Sequence, residues 1–339
     1  MSTARLRRVD CSGPGIRRRR QGRGFRYLDE DGDVVADGEV MLRIHELVIP
    51  PAWEDVWICP YPGGHIQATG MDAAGRKQYL YHPRWRQRRD LQKFDDMVVF
   101  ARTLPRLRKR VDAELGGGDE LTYDRVCACA VRLLDRGFFR VGGEDYAVRN
   151  ESYGLATMKK RHVRLRDDVL LFDYPAKSGQ RRVQAVIDSQ VAEVVEQLKR
   201  RRGGGDELLA YKDDGRWADV RSADINAWLK DATGKDISAK DFRTWGATVL
   251  AAVALAVSAD APTTKTGRKR AIKRAVDEVA YYLGNTPTVA RASYIDPRVF
   301  DRYRDGEVID HRLVAAAPDG DATAIQGPVE KAVLKLLDS

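Results

Sequence analysis

The texture of the chain changes once, near Pro83, and that change does most to limit what it can fold into. Before it, short runs rich in β-branched and aromatic residues alternate with turn signals. The runs are Val34-Val-Ala36, Ile44 to Ile49, Val56-Trp-Ile-Cys59, His65-Ile-Gln-Ala-Thr69 and Gln78-Tyr-Leu-Tyr81, and the turns are Asp31-Gly32, Pro62-Gly-Gly64 and Ala74-Gly75. Such runs between Gly- and Pro-containing turns predict antiparallel hairpins. After Pro83, Phe94, Met97-Val-Val99, Ala101 and Leu104 recur at helical spacing, as do Val126, Cys129-Ala130, Leu133-Leu134 and Phe138. Strands first and helices after predict an α+β chain: a small antiparallel β-rich N-terminal domain followed by a larger, mainly α domain.

The helical part is interrupted by strand-like segments at Val163-Arg-Leu165, Val169 to Phe172 and Arg181-Arg-Val183, with glycine loops at 116–118 and 203–205. Helices are expected again over Ser189–Lys199, Ala223–Leu229, Ala239–Val257 and Arg268–Leu283. The domains are therefore placed at 1–88, 89–311 and a C-terminal piece, 312–339, with an Ala/Asp/Gly-rich loop and a short amphipathic helix over Val329–Leu337. Around the first boundary Arg84, Arg86, Arg88 and Arg89 surround Trp85, reading as a short basic linker; a second basic cluster is Ile16-Arg-Arg-Arg-Arg20 with Arg23 and Arg26. Each cluster either tracks phosphates or is merely solvated.

A length of 339 residues suits about two domains. The 59 Lys and Arg against 50 Asp and Glu leave a net charge of +9, which makes a polyanion the first partner to test. Apolar residues at 43% and charged residues at 32%, with no run near the roughly 18 apolar residues of a span, argue against a membrane protein. Positive charge over Met1–Asp10 is followed by no apolar stretch, so no secretory signal is read and a cytoplasmic location is expected. Cys11, Cys59, Cys127 and Cys129 form no CxxC pair and read as reduced, inert thiols.

HExxH, GxxxxGK[ST], strand-associated GxGxxG and metal-spaced His/Cys/Asp clusters are missing, and the five histidines are scattered. Instead, basic residues stand in apolar or helical settings ahead of a tyrosine. Arg140 lies in Phe138-Phe-Arg-Val-Gly142, Lys177 in Phe172-Asp-Tyr-Pro-Ala-Lys-Ser-Gly179 after a strand, and Lys240 and Arg243 three apart at the start of a long helix. Leu283-Gly-Asn285-Thr-Pro287 ends another helix, with Tyr294 nine residues beyond Asn285. Singly, each reads as easily as a cap, a solvated turn residue, an ion-pair partner or a half-buried aromatic.

Together, in this order, they resemble the type IB DNA topoisomerases, in the compact poxvirus-type branch also found in bacteria. The resemblance runs from about Pro14 to Arg304. It is carried in the first domain by Ile49-Pro-Pro-Ala-Trp53, Val56-Trp-Ile58, Gly64-His-Ile-Gln-Ala-Thr-Gly70, Gly75-Arg-Lys-Gln-Tyr79 and Tyr81-His-Pro83. In the second it rests on Arg140-Val-Gly142, Ser152-Tyr-Gly-Leu155, Lys177-Ser-Gly179, Ala239 to Trp245 and Leu283 to Tyr294. It implies a catalytic second domain with Tyr294 as nucleophile, Arg140 and Arg243 as catalytic arginines, Lys177 as general acid and Lys240 as a further basic position in proton transfer. Where poxvirus and eukaryotic members have a histidine, this chain has Asn285, whose amide can still donate to a phosphate oxygen.

The activity implied is relaxation of positive and negative supercoils through a 3′-phosphotyrosyl intermediate. It needs no cofactor, no metal and no nucleotide, and acts on double-stranded DNA as a monomer closing like a clamp. Gln67, Arg76, Lys77, Tyr79 and Tyr81, with Arg84 and Arg86, are the candidate DNA-binding residues, although Tyr79 and Tyr81 share a strand face and core packing suits one of them at least as well. A tyrosine site-specific recombinase shares the Arg-Lys-Arg-Tyr chemistry, and a non-catalytic DNA-architectural protein would suit the charge; both remain alternatives.

Overall fold

The computed structural model describes residues 5–258, 264–315 and 326–339, and they fall into two compact units, Met1–Lys93 and Phe94–Ser339. The first unit is built on β1 (Ile16–Gln21), β2 (Gly24–Leu28), α1 (Gly38–Glu46), β3 (Glu54–Ile58), β4 (Ile66–Met71) and β5 (Lys77–Tyr81). The strands form one antiparallel sheet in the order β2-β1-β3-β4-β5. Register Ile16↔Ile58↔Ala68↔Leu80 sets an apolar row against Ile44 of α1. The neighbouring row, Arg17↔Trp57↔Thr69↔Tyr79, points to the opposite face, because successive strand residues alternate.

Three local readings of the first unit differ from the structure. Ile44 to Ile49 is not a strand: Asp37 caps α1 by accepting from the Glu39 and Val40 amides, and Val40, Ile44 and Leu47 recur at helical spacing toward the core. Val34 makes only an isolated bridge to Leu28. The arginine run, read as a loose basic cluster, forms β1 and its hairpin with β2, turned at Gly22 with φ +53°. Arg18 is drawn inward to the Pro50 and Trp53 carbonyls at 3.1 and 2.7 Å, while Arg17 and Arg19 stay exposed.

The expected basic linker is helical. Pro83 opens α2 (Pro83–Leu115), so Arg84, Arg86, Arg88 and Arg89 are exposed on its first turns, and the division between the units falls inside this helix. Pro suits this opening position, where its missing N–H costs no helical bond.

The second unit continues with α3 (Tyr123–Gly137), α4 (Glu144–Asn150), β6 (Val163–Arg166), β7 (Val169–Pro175), β8 (Arg181–Ile187) and α5 (Ser189–Arg200). A small hairpin, β9 (Ala210–Asp213) and β10 (Arg216–Asp219), follows the glycine loop, then α6 (Ser222–Thr233), α7 (Ala239–Val257) and α8 (Lys265–Leu283). The chain ends with α9 (Pro287–Ser293), α10 (Pro297–Asp305), α11 (Arg312–Ala315) and α12 (Pro328–Asp338). One apolar core unites α2, α3, α5 to α10 and α12 with the three-stranded sheet β6-β7-β8. Each fully buried residue such as Leu104, Leu133 or Phe172 contributes about 1.5–3 kcal/mol.

The α+β class read from the residues is the one observed. The Ala/Asp/Gly-rich stretch over 316–325 lies outside the described residues, and the short helix after it is α12, tied down by Glu330, which pairs with Arg108 at 2.6 Å and accepts from the Trp245 indole at 2.8 Å. Among the described residues no helix is long and apolar enough to cross a membrane.

Candidate active site

Arg140 is placed by the way α3 ends. Thr122 caps its start, Gly137 ends it, and Phe138 adopts the left-handed conformation at φ 53°, turning the chain out of the helix into the stretch that carries Arg140. Phe139 is buried against Phe172 of β7 with ring centres 4.7 Å apart, which anchors the residue before Arg140. On the other side the Arg140 and Val141 carbonyls accept from the Leu155 and Ala156 amides at 2.8 and 2.7 Å. The intervening glycines make this approach feasible: a Cβ on Gly154 would stand 2.4 Å from the Gly142 nitrogen. That close contact gives Ser152-Tyr-Gly-Leu155 a structural task beside Arg140.

Lys177 stands at the tip of the β7–β8 hairpin, in a tight turn closed by the Ala176 amide on the Gln180 carbonyl at 2.8 Å and by Gly179 at φ +70°. It is exposed, whereas Phe172 and Tyr174 below it are buried. The hairpin is therefore rooted in the core and free at the lysine.

Ser238 caps α7 and Asp241 returns a bond to its amide at 2.8 Å, so the first turn holding Lys240 and Arg243 is fixed. Arg243 is only 4% exposed. Its Nη1 donates to the Phe138 carbonyl and its Nη2 to the Leu283 carbonyl at 2.9 Å. Gly284, at φ +60°, ends α8, and Thr286 with Pro287 starts α9, which delivers half-buried Tyr294 at its C-terminal end. Thr248 of α7 donates to the Tyr294 carbonyl at 3.3 Å, tying the tyrosine to the helix that carries Arg243.

Arg140, Lys177, Lys240, Arg243 and Tyr294 line one open cleft together with Gly142, Gly143, Ser152 and Tyr153. The Arg243 guanidinium carbon lies 5.3 Å from the centre of the Tyr294 ring. Asn285 joins through Arg140, whose Nη2 donates to its Oδ1 and, at 2.7 Å, to the Gly284 carbonyl. Burial raises the Tyr294 pKa, but the charge and hydrogen bond of Arg243, with Lys240 and Arg140 beyond, outweigh it and bring the hydroxyl below the usual phenol value. Burial and the neighbouring Arg140 push Arg243 down, yet a guanidinium stays charged. The cleft thus gathers four basic side chains around one phenol, a setting whose charge favours an anion.

One arginine beside this group was not singled out from the residues. Arg182, on β8, donates through Nη2 to the Tyr282 carbonyl and through Nε to Gln184 Oε1 at 2.7 Å. Its sequence setting, the second of two adjacent arginines after a turn, carries no distinguishing signal; only the register opposite Tyr174 brings it here.

In the first unit, Lys77, Tyr79 and Tyr81 do lie on the exposed face of β5, and the tyrosine rings stack at 6.0 Å. They are 40% and 39% exposed, so they do not pack the core. Arg76 is exposed and paired to Asp72 at 2.8 Å. Gln67 is a correction: it is 3% exposed, its Nε2 donates to the Gly64 carbonyl at 2.6 Å and its Oε1 accepts from Arg43 at 3.1 Å. It braces the turn before β4 and presents nothing to a groove.

Two family models match the chain. The one described as "Eukaryotic DNA topoisomerase I, catalytic core" covers residues 82–307, about two thirds of the chain, and "Bacterial DNA topoisomerase IB, N-terminal domain" covers residues 24–72. Among curated relatives, the DNA topoisomerase 1B of Acanthamoeba polyphaga mimivirus is 29% identical over 316 residues, spanning 88% of this chain and 93% of that protein. The DNA topoisomerase 1 of rabbit fibroma virus is 23% identical over 172 residues, 46% of this chain and 52% of the relative. The bacterial-type N-terminal domain thus precedes a topoisomerase I catalytic core, and the chain belongs to the type IB DNA topoisomerases, enzymes whose substrate is DNA.

Proposed function

We propose that this topoisomerase relaxes positive and negative supercoils by cutting one strand of duplex DNA through a 3′-phosphotyrosyl intermediate and resealing it, without ATP or a metal ion. The observation that carries the reading is the convergence of Arg140, Lys177, Lys240 and Arg243 with Tyr294 on one cleft.

Tyr294 Oη attacks the scissile phosphorus, and the bond to the 5′ oxygen breaks. A free phenol is a poor nucleophile at neutral pH, and the Arg243 charge against its ring favours loss of the proton as the new bond forms. Charge building on the non-bridging oxygens is met by the Arg140 and Arg243 guanidinium groups. The Asn285 Nδ2, buried and without a partner among the described residues, supplies a further donor. Lys177, on its exposed turn, protonates the departing 5′ oxygen, and Lys240 assists proton movement. The phosphotyrosyl ester is close in energy to the diester it replaces, so attack by the freed 5′ hydroxyl restores the strand. A single chain suffices, with Lys77, Tyr79 and Tyr81, backed by Arg17, Arg19, Arg84 and Arg86, gripping the duplex in the first unit.

Supercoiled plasmids of both signs, incubated in EDTA without nucleotide, test this. Stepwise relaxation supports it. Recovery of joined duplexes would instead favour recombination, and retention without relaxation an architectural role.

A further inference from the structure

Three successive carbonyls at the end of α8 each receive an arginine. Arg182 Nη2 donates to Tyr282, Arg243 Nη2 to Leu283 at 2.9 Å and Arg140 Nη2 to Gly284 at 2.7 Å. A helix C-terminus carries partial negative charge and unsatisfied acceptors, so it gathers like-charged guanidinium groups that would otherwise repel. Two of the three belong to the proposed cleavage site; Arg182 does not.

The fit around Arg182 is close. A Cβ on Gly284 would stand 2.7 Å from Arg182 Nη1. Nε is engaged by Gln184, whose own Nε2 donates to the Gly137 carbonyl at 2.8 Å, so the guanidinium is aimed from the end of α3, three residues before Arg140. Nε and Nη2 are both committed to protein acceptors, Nε to Gln184 and Nη2 to the Tyr282 carbonyl, two residues before Gly284 and three before Asn285. Tyr174, buried beneath, has its hydroxyl pushed above the usual phenol range by burial, against the opposing charge of Arg182.

We propose that Arg182 is a positioning residue for strand cleavage: by holding the Tyr282 carbonyl from β8 it sets the Gly284–Asn285 turn and thereby the direction of the Asn285 amide. The inference rests on the reading of Asn285 and Tyr294 as parts of the cleavage site. An amide swung by even an ångström loses much of its benefit to a phosphorane oxygen.

Single-turnover cleavage of a duplex that cannot be resealed provides the test, with DNA affinity measured alongside. Arg182→Ala is expected to slow cleavage about tenfold while affinity stays within about threefold. In an Asn285→Ala background the same change should cost less than about threefold, because the group being positioned is gone; a purely structural arginine would add its penalty in full. Gln184→Ala, which frees the guanidinium without removing it, should slow cleavage in the same direction and serves if Arg182→Ala does not fold. Parent rates in folded Arg182→Ala or in Gln184→Ala, parent rates in Asn285→Ala, or fully multiplicative losses in the double variant would overturn the proposal. Tyr294→Phe is run in parallel: a covalent adduct surviving there overturns the site reading itself, a result separable from any of these.

Discussion

Arg140 holds Asn285 by its amide oxygen and leaves the amide nitrogen without a partner among the described residues. A guanidinium only donates, so the bond can form in one orientation of the carboxamide and no other. The Nδ2 hydrogens are thereby kept for an acceptor beyond the protein, as a phosphate oxygen would be. Asn285→Asp keeps the bond to Arg140 but turns the second atom into an acceptor with charge, and cleavage should fall by about 10²- to 10³-fold. Asn285→His, which can donate, should stay within about tenfold of the parent in the same single-turnover assay. An Asp variant as fast as the parent would remove Asn285 from the chemistry.

Tyr294 should titrate below an ordinary phenol in the free protein, because the Arg243, Lys240 and Arg140 charges outweigh the effect of burial. Phenolate absorbance followed against pH, with Tyr294→Phe subtracted, isolates this one group. Lys240→Ala removes a charge that favours the phenolate, so the midpoint should move to higher pH. A midpoint that stays put or moves down would contradict the electrostatic account.

Gly154→Ala should damage the site from a position outside the cleft. The new Cβ meets the Gly142 nitrogen and Cα at 2.4 and 2.5 Å and the Arg140 oxygen at 2.7 Å, all backbone atoms that cannot swing aside. The expected cost is about 1–3 kcal/mol of stability, with a larger loss of cleavage rate at temperatures where the variant is folded. Thermal melting and single-turnover cleavage check the two parts separately.

Lys177→Ala should slow cleavage by about 10²- to 10⁴-fold if the lysine protonates the leaving oxygen. A substrate with sulfur in the 5′-bridging position departs as a thiolate that needs no proton, and should restore most of the rate. Equal slowing on both substrates would take Lys177 out of the general-acid role.

Much of this arrangement was readable from the residues, and the misreadings share a cause. Long helices such as α7 and α8 carry an apolar period over many turns, and their ends are written in Ser238, Thr264 and Gly284. In the first unit the elements are short, and local content misled: the β-branched residues near Ile44 suggested a strand where the Asp37 cap and a period of 3.6 prevail. A run of four arginines hid β1 because its pairing is decided by neighbours, not by apolar alternation. Gln67 followed the motif it sits in, yet its amide is spent on Arg43 and the Gly64 carbonyl, and only burial reveals that. Arg182 could not be distinguished in advance, since its partner is a backbone carbonyl 100 residues away.

In the proposed reaction it is Tyr294 that carries the DNA. Supercoiled plasmid incubated with the enzyme in EDTA and stopped with SDS, then digested and mapped by mass spectrometry, addresses it directly. The expected result is nucleotide attached through a phosphate on the peptide containing Tyr294, a free 5′ hydroxyl on the cut strand, and no adduct with Tyr294→Phe. Attachment to another residue, or an adduct that persists in the phenylalanine variant, would contradict it.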